Sequence, residues 1–169
     1  SDDCSSDVTK VVFDASFYAY KPKSCACWFF GFKKPLAFEG LAYLDVSQAT
    51  DFSWMFARNE SIVALDLSTF DMSSAEVTKC MFQGCSALQR ITVSPDFDLN
   101  GVMDSVDMFH GCKALKGGTG TVCNGTDNVD KTYARIDGGA ENPGYFTSCP
   151  VAVYDSAAKA LTFYNDGAN

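Results

Sequence analysis

The sequence predicts a repeat solenoid: short parallel strands joined by short helical turns, with β-rich caps at its N- and C-terminal ends. Three observations predict it. Met81-Phe82-Gln83-Gly84-Cys85-Ser86-Ala87-Leu88 recurs as Met108-Phe109-His110-Gly111-Cys112-Lys113-Ala114-Leu115, with a looser copy at Met55-Phe56-Ala57-Arg58-Asn59-Glu60-Ser61-Ile62 and a degenerate one at Trp28-Phe29-Phe30-Gly31-Phe32. Phe29, Phe56, Phe82 and Phe109 are separated by 27, 26 and 27 residues, a fixed period that marks stacked supersecondary units. Short alternating stretches, Leu44-Asp45-Val46-Ser47, Leu65-Asp66-Leu67-Ser68 and Ile91-Thr92-Val93-Ser94, follow the repeated motif.

Residues 1–27 precede the repeat. Val11-Val12-Phe13 and Phe17-Tyr18-Ala19-Tyr20 read as short strands broken by Lys21-Pro22-Lys23. An end coil would otherwise expose its apolar face, so this segment is assigned as an N-terminal cap. Residues 28–117 form the repeat itself. Period-two alternation sends Leu44, Val46, Leu65, Leu67, Ile91 and Val93 to one face. Asp45, Asp66, Thr92, Ser47, Ser68 and Ser94 go to the other.

The Met-Phe segments are expected as short helical turns whose phenylalanines stack in the core. Each buried phenylalanine contributes about 1.5–3 kcal/mol before entropy is subtracted. Three residues beyond each stand Phe32, Asn59, Cys85 and Cys112, mostly an apolar, inward column, in which Cys85 and Cys112 read as reduced, buried thiols on adjacent coils, close enough in principle for a disulfide. An inward Asn59 needs backbone partners, since an orphaned amide costs about 1–3 kcal/mol. Cys80 shares a mixed column with Trp54 and Asp107 and is expected to face outward.

Residues 118–149 leave the repeat as a C-terminal cap. Thr132-Tyr133-Ala134-Arg135-Ile136-Asp137 and Tyr145-Phe146-Thr147 read as strands, between glycine-rich turns. Residues 150–169 read as a hairpin, with Val151-Ala152-Val153-Tyr154 and Leu161-Thr162-Phe163-Tyr164 around a polar turn.

The chain has 169 residues, of which 47% are hydrophobic and 14% aromatic, enough for a core and too apolar for disorder. A net charge of −8 without a basic stripe disfavours nucleic acid and anionic membrane surfaces as partners. No apolar run is long enough to span a bilayer. Eight cysteines favour an oxidising, extracytoplasmic setting. Cys123 with Cys149 is the preferred disulfide, and Cys4 with Cys25 or Cys27 would staple the N-terminal cap. The opening Ser1-Asp2-Asp3-Cys4 reads as a processed N-terminus or an artificial boundary.

The combination of MFQGCSALQRITVS, LDLSTFDMSSAEVTKCMF and MFHGCKAL, with the lead-in VTKVVFDASFYAYKPKS and the closing DKTYARIDGGAENPGYFT, resembles the BspA-like leucine-rich-repeat surface proteins. The nearest branch carries the repeat MFxGCxxLxxLDLSxFDxSxVxxM, and the similarity covers most of residues 8–147. The resemblance implies a leucine-rich-repeat-like solenoid, on a cell surface or secreted, that serves adhesion and protein binding. In that branch a hairpin like VAVYDSAAKALTFYNDG commonly precedes the lead-in. Here it follows the C-terminal cap, as it would at the start of a next module or in a tail that docks on a neighbour.

Chemistry is sparse. His110 is the single histidine and shares a surface column with Gln83 and Ala57, so a histidine-based nucleophile system has little support. Cys25-Ala26-Cys27 lacks the second pair of a zinc site. No phosphate-binding or dinucleotide fingerprint is present. The expectation is a non-enzymatic protein with no cofactor and no metal. Asn59-Glu60-Ser61 and Asn124-Gly125-Thr126 are glycosylation sequons, Asn124 being the better placed. The candidate binding face comprises Tyr43, Asp45, Ser47, Asp66, Ser68, Arg90, Thr92 and Ser94, facing a protein or glycan. The competing expectation is a structural subunit of an extracellular assembly, self-associating through residues 150–169.

Overall fold

The computed structural model describes residues 7–155 and 159–164. Its organising feature is the in-register stacking of four similar units. Parallel bridges join Ser24 to Asp51, Asp51 to Val77, and Val77 to Asp104, so the starts of successive units lie side by side. From each start, alternate amides donate to the next unit's carbonyls. Phe52, Trp54, Phe56 and Arg58 donate to Val77, Lys79, Met81 and Gln83, and Thr78, Cys80, Phe82 and Gly84 donate to Asp104, Val106, Met108 and His110. The Met-Phe segments are therefore rungs of a ladder and not the helical turns expected.

Their local path explains the difference. Cys27, Trp54, Cys80 and Asp107 all adopt left-handed backbone, with φ of 59°, 60°, 54° and 57°. Four residues further on, Gly31, Arg58, Gly84 and Gly111 do so again, at 76°, 60°, 75° and 83°. A right-handed helix cannot pass through either column. Within that column Cys80 is 2% exposed and does not face solvent as expected, its Sγ lying 3.7 Å from the Val106 carbonyl, whereas Cys27 is exposed and Trp54 and Asp107 are half-buried.

The phenylalanines stack behind these rungs. Ring centroids of Phe29 and Phe56, Phe56 and Phe82, and Phe82 and Phe109 lie 5.3, 5.8 and 5.6 Å apart. The last two pairs are within 7° and 11° of parallel, and all four rings are buried. The methionines Met55, Met81 and Met108 and the aliphatics Leu36, Ile62, Leu88 and Leu115 are buried at equivalent places beside them. Tyr145 and Phe146 cover the far end of the stack, each packing edge-on against Phe109.

In the second, third and fourth units the side chain three residues beyond the phenylalanine is a donor aimed at the preceding unit. Cys85 Sγ lies 3.1 Å from the Phe56 carbonyl and Cys112 Sγ 3.0 Å from the Phe82 carbonyl. Asn59 Nδ2 reaches the Phe29 carbonyl at 2.6 Å and the Phe56 carbonyl at 2.7 Å, while its Oδ1 accepts from the Phe32 amide. Asn59 is thus fully partnered despite being 1% exposed. Cys123 arrives from outside the repeat and points Sγ at the Phe109 carbonyl, 4.0 Å away. Burial pushes the Cys85 thiol up to about 12 and raises Cys112 and Cys123 as well, so these groups stay protonated as donors.

Strands flank the rungs. β1 (Lys10–Val12) pairs in parallel with β2 (Ala37–Glu39). β3 (Ala64–Leu67) pairs in parallel with β4 (Arg90–Val93), Leu65 opposite Ile91 and Asp66 opposite Thr92. β5 (Phe146–Ser148) continues that sheet in parallel beside β4. Leu65, Leu67, Ile91 and Val93 are buried and Ala64, Asp66 and Arg90 exposed, the pattern of a strand with one wet face. β6 (Val151–Asp155) and β7 (Ala160–Tyr164) form a separate antiparallel pair.

Three expected strands are absent. Leu44-Asp45-Val46-Ser47 is a turn in which the Ser47 amide donates to Asp45 Oδ1 at 3.0 Å. Ser73 donates to Asp71 and Asn100 to Asp98 in the same way, at 3.0 and 2.9 Å. Spacing makes Leu44-Asp45-Val46, fifteen residues beyond Phe29, the counterpart of Phe70-Asp71-Met72 and Phe97-Asp98-Leu99, fourteen and fifteen residues beyond Phe56 and Phe82, and not of Leu65-Asp66-Leu67, nine residues beyond Phe56. Residues Ala15–Ala19 form a 3-10 helix whose start is capped by Asp14, which accepts from the Ser16 amide. Lys131–Tyr133 is likewise a 3-10 turn capped by Asp130, leaving Ile136 a single bridge to Phe146.

The C-terminal segment is fastened by one buried carboxylate. Asp137 accepts from the amides of Thr119, Thr121 and Gly139 and from the Thr121 hydroxyl, at 3.0, 2.9, 3.0 and 2.7 Å. Gly117 lets the two segments meet: a Cβ there would lie 2.2 Å from the Gly144 carbonyl oxygen and 2.5 Å from Asp137.

Candidate functional site

The strand face divides the expected binding residues into groups. Asp66, Ser68, Arg90 and Thr92 line one shallow groove of about 490 Å3, between β3–β4 on one side and residues 36–42 on the other. The apolar partners of these residues, Leu65, Leu67, Ile91 and Val93, are anchored in the core, so the polar side chains stand on a fixed ladder. The Asp66 carboxylate holds its own turn, accepting from the Ser68 amide at 3.0 Å. Arg90 also borders a second groove of about 570 Å3 with Gln89, Lys116 and Thr147. It is thus the charged side chain common to both depressions.

Ser94 sits apart from that group. With Ser68 it lines a groove of about 360 Å3 whose other walls carry Asp71, Asp96 and Asp98. Tyr43, Asp45 and Ser47 are not on the strand face, because their segment is a turn. Tyr43 is 41% exposed at the end of a short 3-10 helix, Leu41–Tyr43. Asp45 is engaged by Lys21, whose Nζ lies 2.6 Å away. That ammonium, with the Ser47 side chain and amide, holds the Asp45 carboxyl down at about 2.

Sequence reading missed the wall supplied by residues 36–42. Its signal was available, since Phe38 follows Phe29 by nine residues as Leu65 follows Phe56 and Ile91 follows Phe82. β2 occupies the strand place of the first unit, but it pairs with β1 and not with β3, and the groove runs along that interruption.

The expected disulfides do not form among the described residues. Cys25, Cys27, Cys123 and Cys149 are all free thiols. Cys123 is withdrawn into the core beside Phe109, whereas Cys149 lies along β4, its amide donating to the Val93 carbonyl at 2.9 Å. Their separate hydrogen-bond roles keep the two apart. Cys4 lies outside the described residues, so its pairing does too. Cys25 is fully buried, and burial, with Asp51 nearby, pushes its thiol up to about 12.

Of the two sequons, Asn59 is closed by its three hydrogen bonds. Asn124 is exposed, its Nδ2 donating to Asp127 Oδ2 at 2.7 Å and its Oδ1 accepting from the Thr126 and Asp127 amides. His110 is exposed on its rung. Among the described residues no group of three or more His, Cys, Asp or Glu side chains is placed to hold a metal ion. No helix there is long and apolar enough to cross a membrane.

No curated protein and no solved structure matches this sequence. A family model does match residues 30–121, more than half of the chain and the whole set of stacked units after the first rung begins. The chain belongs to the family described as Mycoplasma protein of unknown function, DUF285.

Proposed function

We propose that the chain is a leucine-rich-repeat-like solenoid of the BspA-like kind. It acts as a non-enzymatic adhesion or binding module, exposed on a cell surface or secreted, and takes a protein or glycan on its strand face. The observation that carries this reading is the grouping of Asp66, Ser68, Arg90 and Thr92 around one open groove, on strands whose opposite faces are locked in the core. A shallow, polar, rigid face suits an extended partner more than a small enclosed substrate.

Reversing Arg90→Glu and Asp66→Lys together tests it. Capture on an array of glycans and matrix proteins is expected to fall at least tenfold, about 1.4 kcal/mol, with an unchanged circular-dichroism spectrum. Unaltered capture by a folded double variant excludes the strand face as the binding surface.

One observation favours a second reading, a structural subunit. Among the described residues β6 and β7 pair only with each other, and a lone two-stranded hairpin is marginally stable and offers open edges. Deletion of residues 150–169 separates the two readings. Loss of self-association supports the subunit, and retained ligand capture by a monomer supports the binding module.

A further inference from the structure

The strands β2 and β3 belong to different sheets, yet Ala37 and Phe38 on one bank and Ala64, Leu65 and Asp66 on the other line a single groove. Successive residues of a strand point their N–H and C=O groups to opposite edges, which fixes the backbone groups that face this groove. Ala37 donates to the Thr9 carbonyl and Glu39 accepts from the Phe13 amide, both on the β1 side, so the N–H and C=O of Phe38 point to the β3 side. On the other bank Val63 accepts from the Gln89 amide on the β4 side, so the groups of Ala64 and Asp66 point to the groove. The far side of β4 sets the same phase. Cys149 donates there to the Val93 carbonyl, which leaves Arg90 and Thr92 to bond Leu65 around its partner Ile91.

Among the described residues no backbone group pairs with the N–H or C=O of Phe38, Ala64 or Asp66. The groove is thus walled by two strand edges, each with donors and acceptors left to solvent. Its floor is apolar: Phe38 packs edge-on against Phe29 and Phe56 at 5.0 and 5.9 Å, and Leu65 is buried. On the wet side the gap is flanked by the exposed Ala37 and Glu39 of β2 and Ala64 and Asp66 of β3. Glu39 and Asp66 hold the same place in successive units, ten residues beyond Phe29 and Phe56. Glu39 has one exposed ion pair, with Lys10, and Asp66 has none among the described residues.

We propose that the gap between β2 and β3 takes one extended peptide as an added strand, with small apolar side chains toward Phe38 and Leu65 and basic ones beside Glu39 and Asp66. The inference rests on the strand-face reading and deepens it, naming a polypeptide as the occupant of that groove. The backbone selects this occupant. A strand presents N–H and C=O groups alternately to its two sides, as edges on both banks require, and main-chain pairing of this kind gives affinity while side-chain places give specificity. A glycan has no such alternation.

The test uses the whole protein with the end-capped peptide Lys-Val-Lys-Val-Lys, and with the same peptide N-methylated at both valines, which keeps every side chain and charge. NMR reads binding and amide hydrogen exchange together. The Phe38, Ala64 and Asp66 amides are expected to exchange fast in the free protein and at least tenfold more slowly with the peptide bound. The methylated peptide is expected to bind at least tenfold more weakly. Ala64→Pro removes one groove-facing N–H at an edge position that tolerates proline, and is expected to weaken peptide binding at least tenfold. Ala64→Ser keeps the N–H and is expected to bind as the wild type does. No saturable binding, equal binding of the two peptides, unchanged exchange at the three amides, or undiminished binding by a folded Ala64→Pro overturns the proposal. If Ala64→Pro does not fold, the peptide pair and the exchange rates decide. Array capture that survives Ala64→Pro but falls in the Arg90 and Asp66 double variant keeps the strand-face reading and overturns the added strand. Capture that survives the double variant overturns the strand-face reading itself.

Discussion

Phe82→Ala is expected to destabilise the protein by about 3–5 kcal/mol. Phe82 is 1% exposed and sits between two rings, at 5.8 Å from Phe56 and 5.6 Å from Phe109. Alanine removes both stacking contacts and leaves a void in the middle of the column. Because each unit touches only its neighbours, the loss falls on two interfaces at once. The surrounding walls are fixed by inter-unit hydrogen bonds from Phe56, Phe82 and Gly84 and cannot collapse inward freely. Equilibrium urea unfolding checks this: the midpoint should drop while the slope stays constant. Phe82→Leu fills most of the void and should recover the larger part of the loss. A Phe82→Ala cost below about 1 kcal/mol would show that the ring column is not the main source of cohesion.

Asp137→Asn is expected to cost about 1.5–3 kcal/mol and to loosen the C-terminal segment first. Asp137 is 1% exposed, and all four of its partners donate. An asparagine amide turned toward them sets a donor against Thr119 and Thr121. Burial alone would raise the Asp137 carboxyl, but the hydrogen bonds from Thr121, Thr119 and Gly139 outweigh it and hold the group below the usual carboxylate range. A depressed folded-state pKa means that the unfolded chain binds the proton more readily. The stability from Asp137 is therefore complete above the ordinary aspartate value of about 3.9. It is lost as pH falls below that value through the folded-state one. The wild-type protein should weaken across this acid range, and the Asn variant should show a flatter dependence. Parallel pH profiles for the two proteins would remove Asp137 from the account.

Much of this was readable in the chain because the physics was local or periodic. The phenylalanine column follows from spacing, and the wet and dry faces of β3 and β4 follow from alternation. Leu44-Asp45-Val46-Ser47 misled because its letters resemble Leu65-Asp66-Leu67-Ser68. Distance from the preceding phenylalanine, fifteen residues instead of nine, places it with the aspartate turns. Side-chain identity does not report backbone φ, so the left-handed column of Cys27, Trp54, Cys80 and Asp107 left no mark in the sequence. Only Gly31, Gly84 and Gly111 hinted at the second such column. Asp137 read as the end of a strand and not as a buried clamp, because its burial depends on donors sixteen and eighteen residues away. The strand-face residues Asp66, Ser68, Arg90 and Thr92 were identified together, whereas the opposing wall was hidden by reading the first unit in the wrong register.

The most direct test of the central claim is amide hydrogen exchange at Phe56, Phe82, Gly84 and Cys80, read by NMR. These amides lie in segments that look like loops by composition, yet each donates across to the next unit at 2.8–2.9 Å. The account predicts slow exchange, with protection approaching that of Leu65 and Ile91 in β3 and β4. Exchange at these positions as fast as in an open loop would contradict the stacked rungs and the architecture built on them.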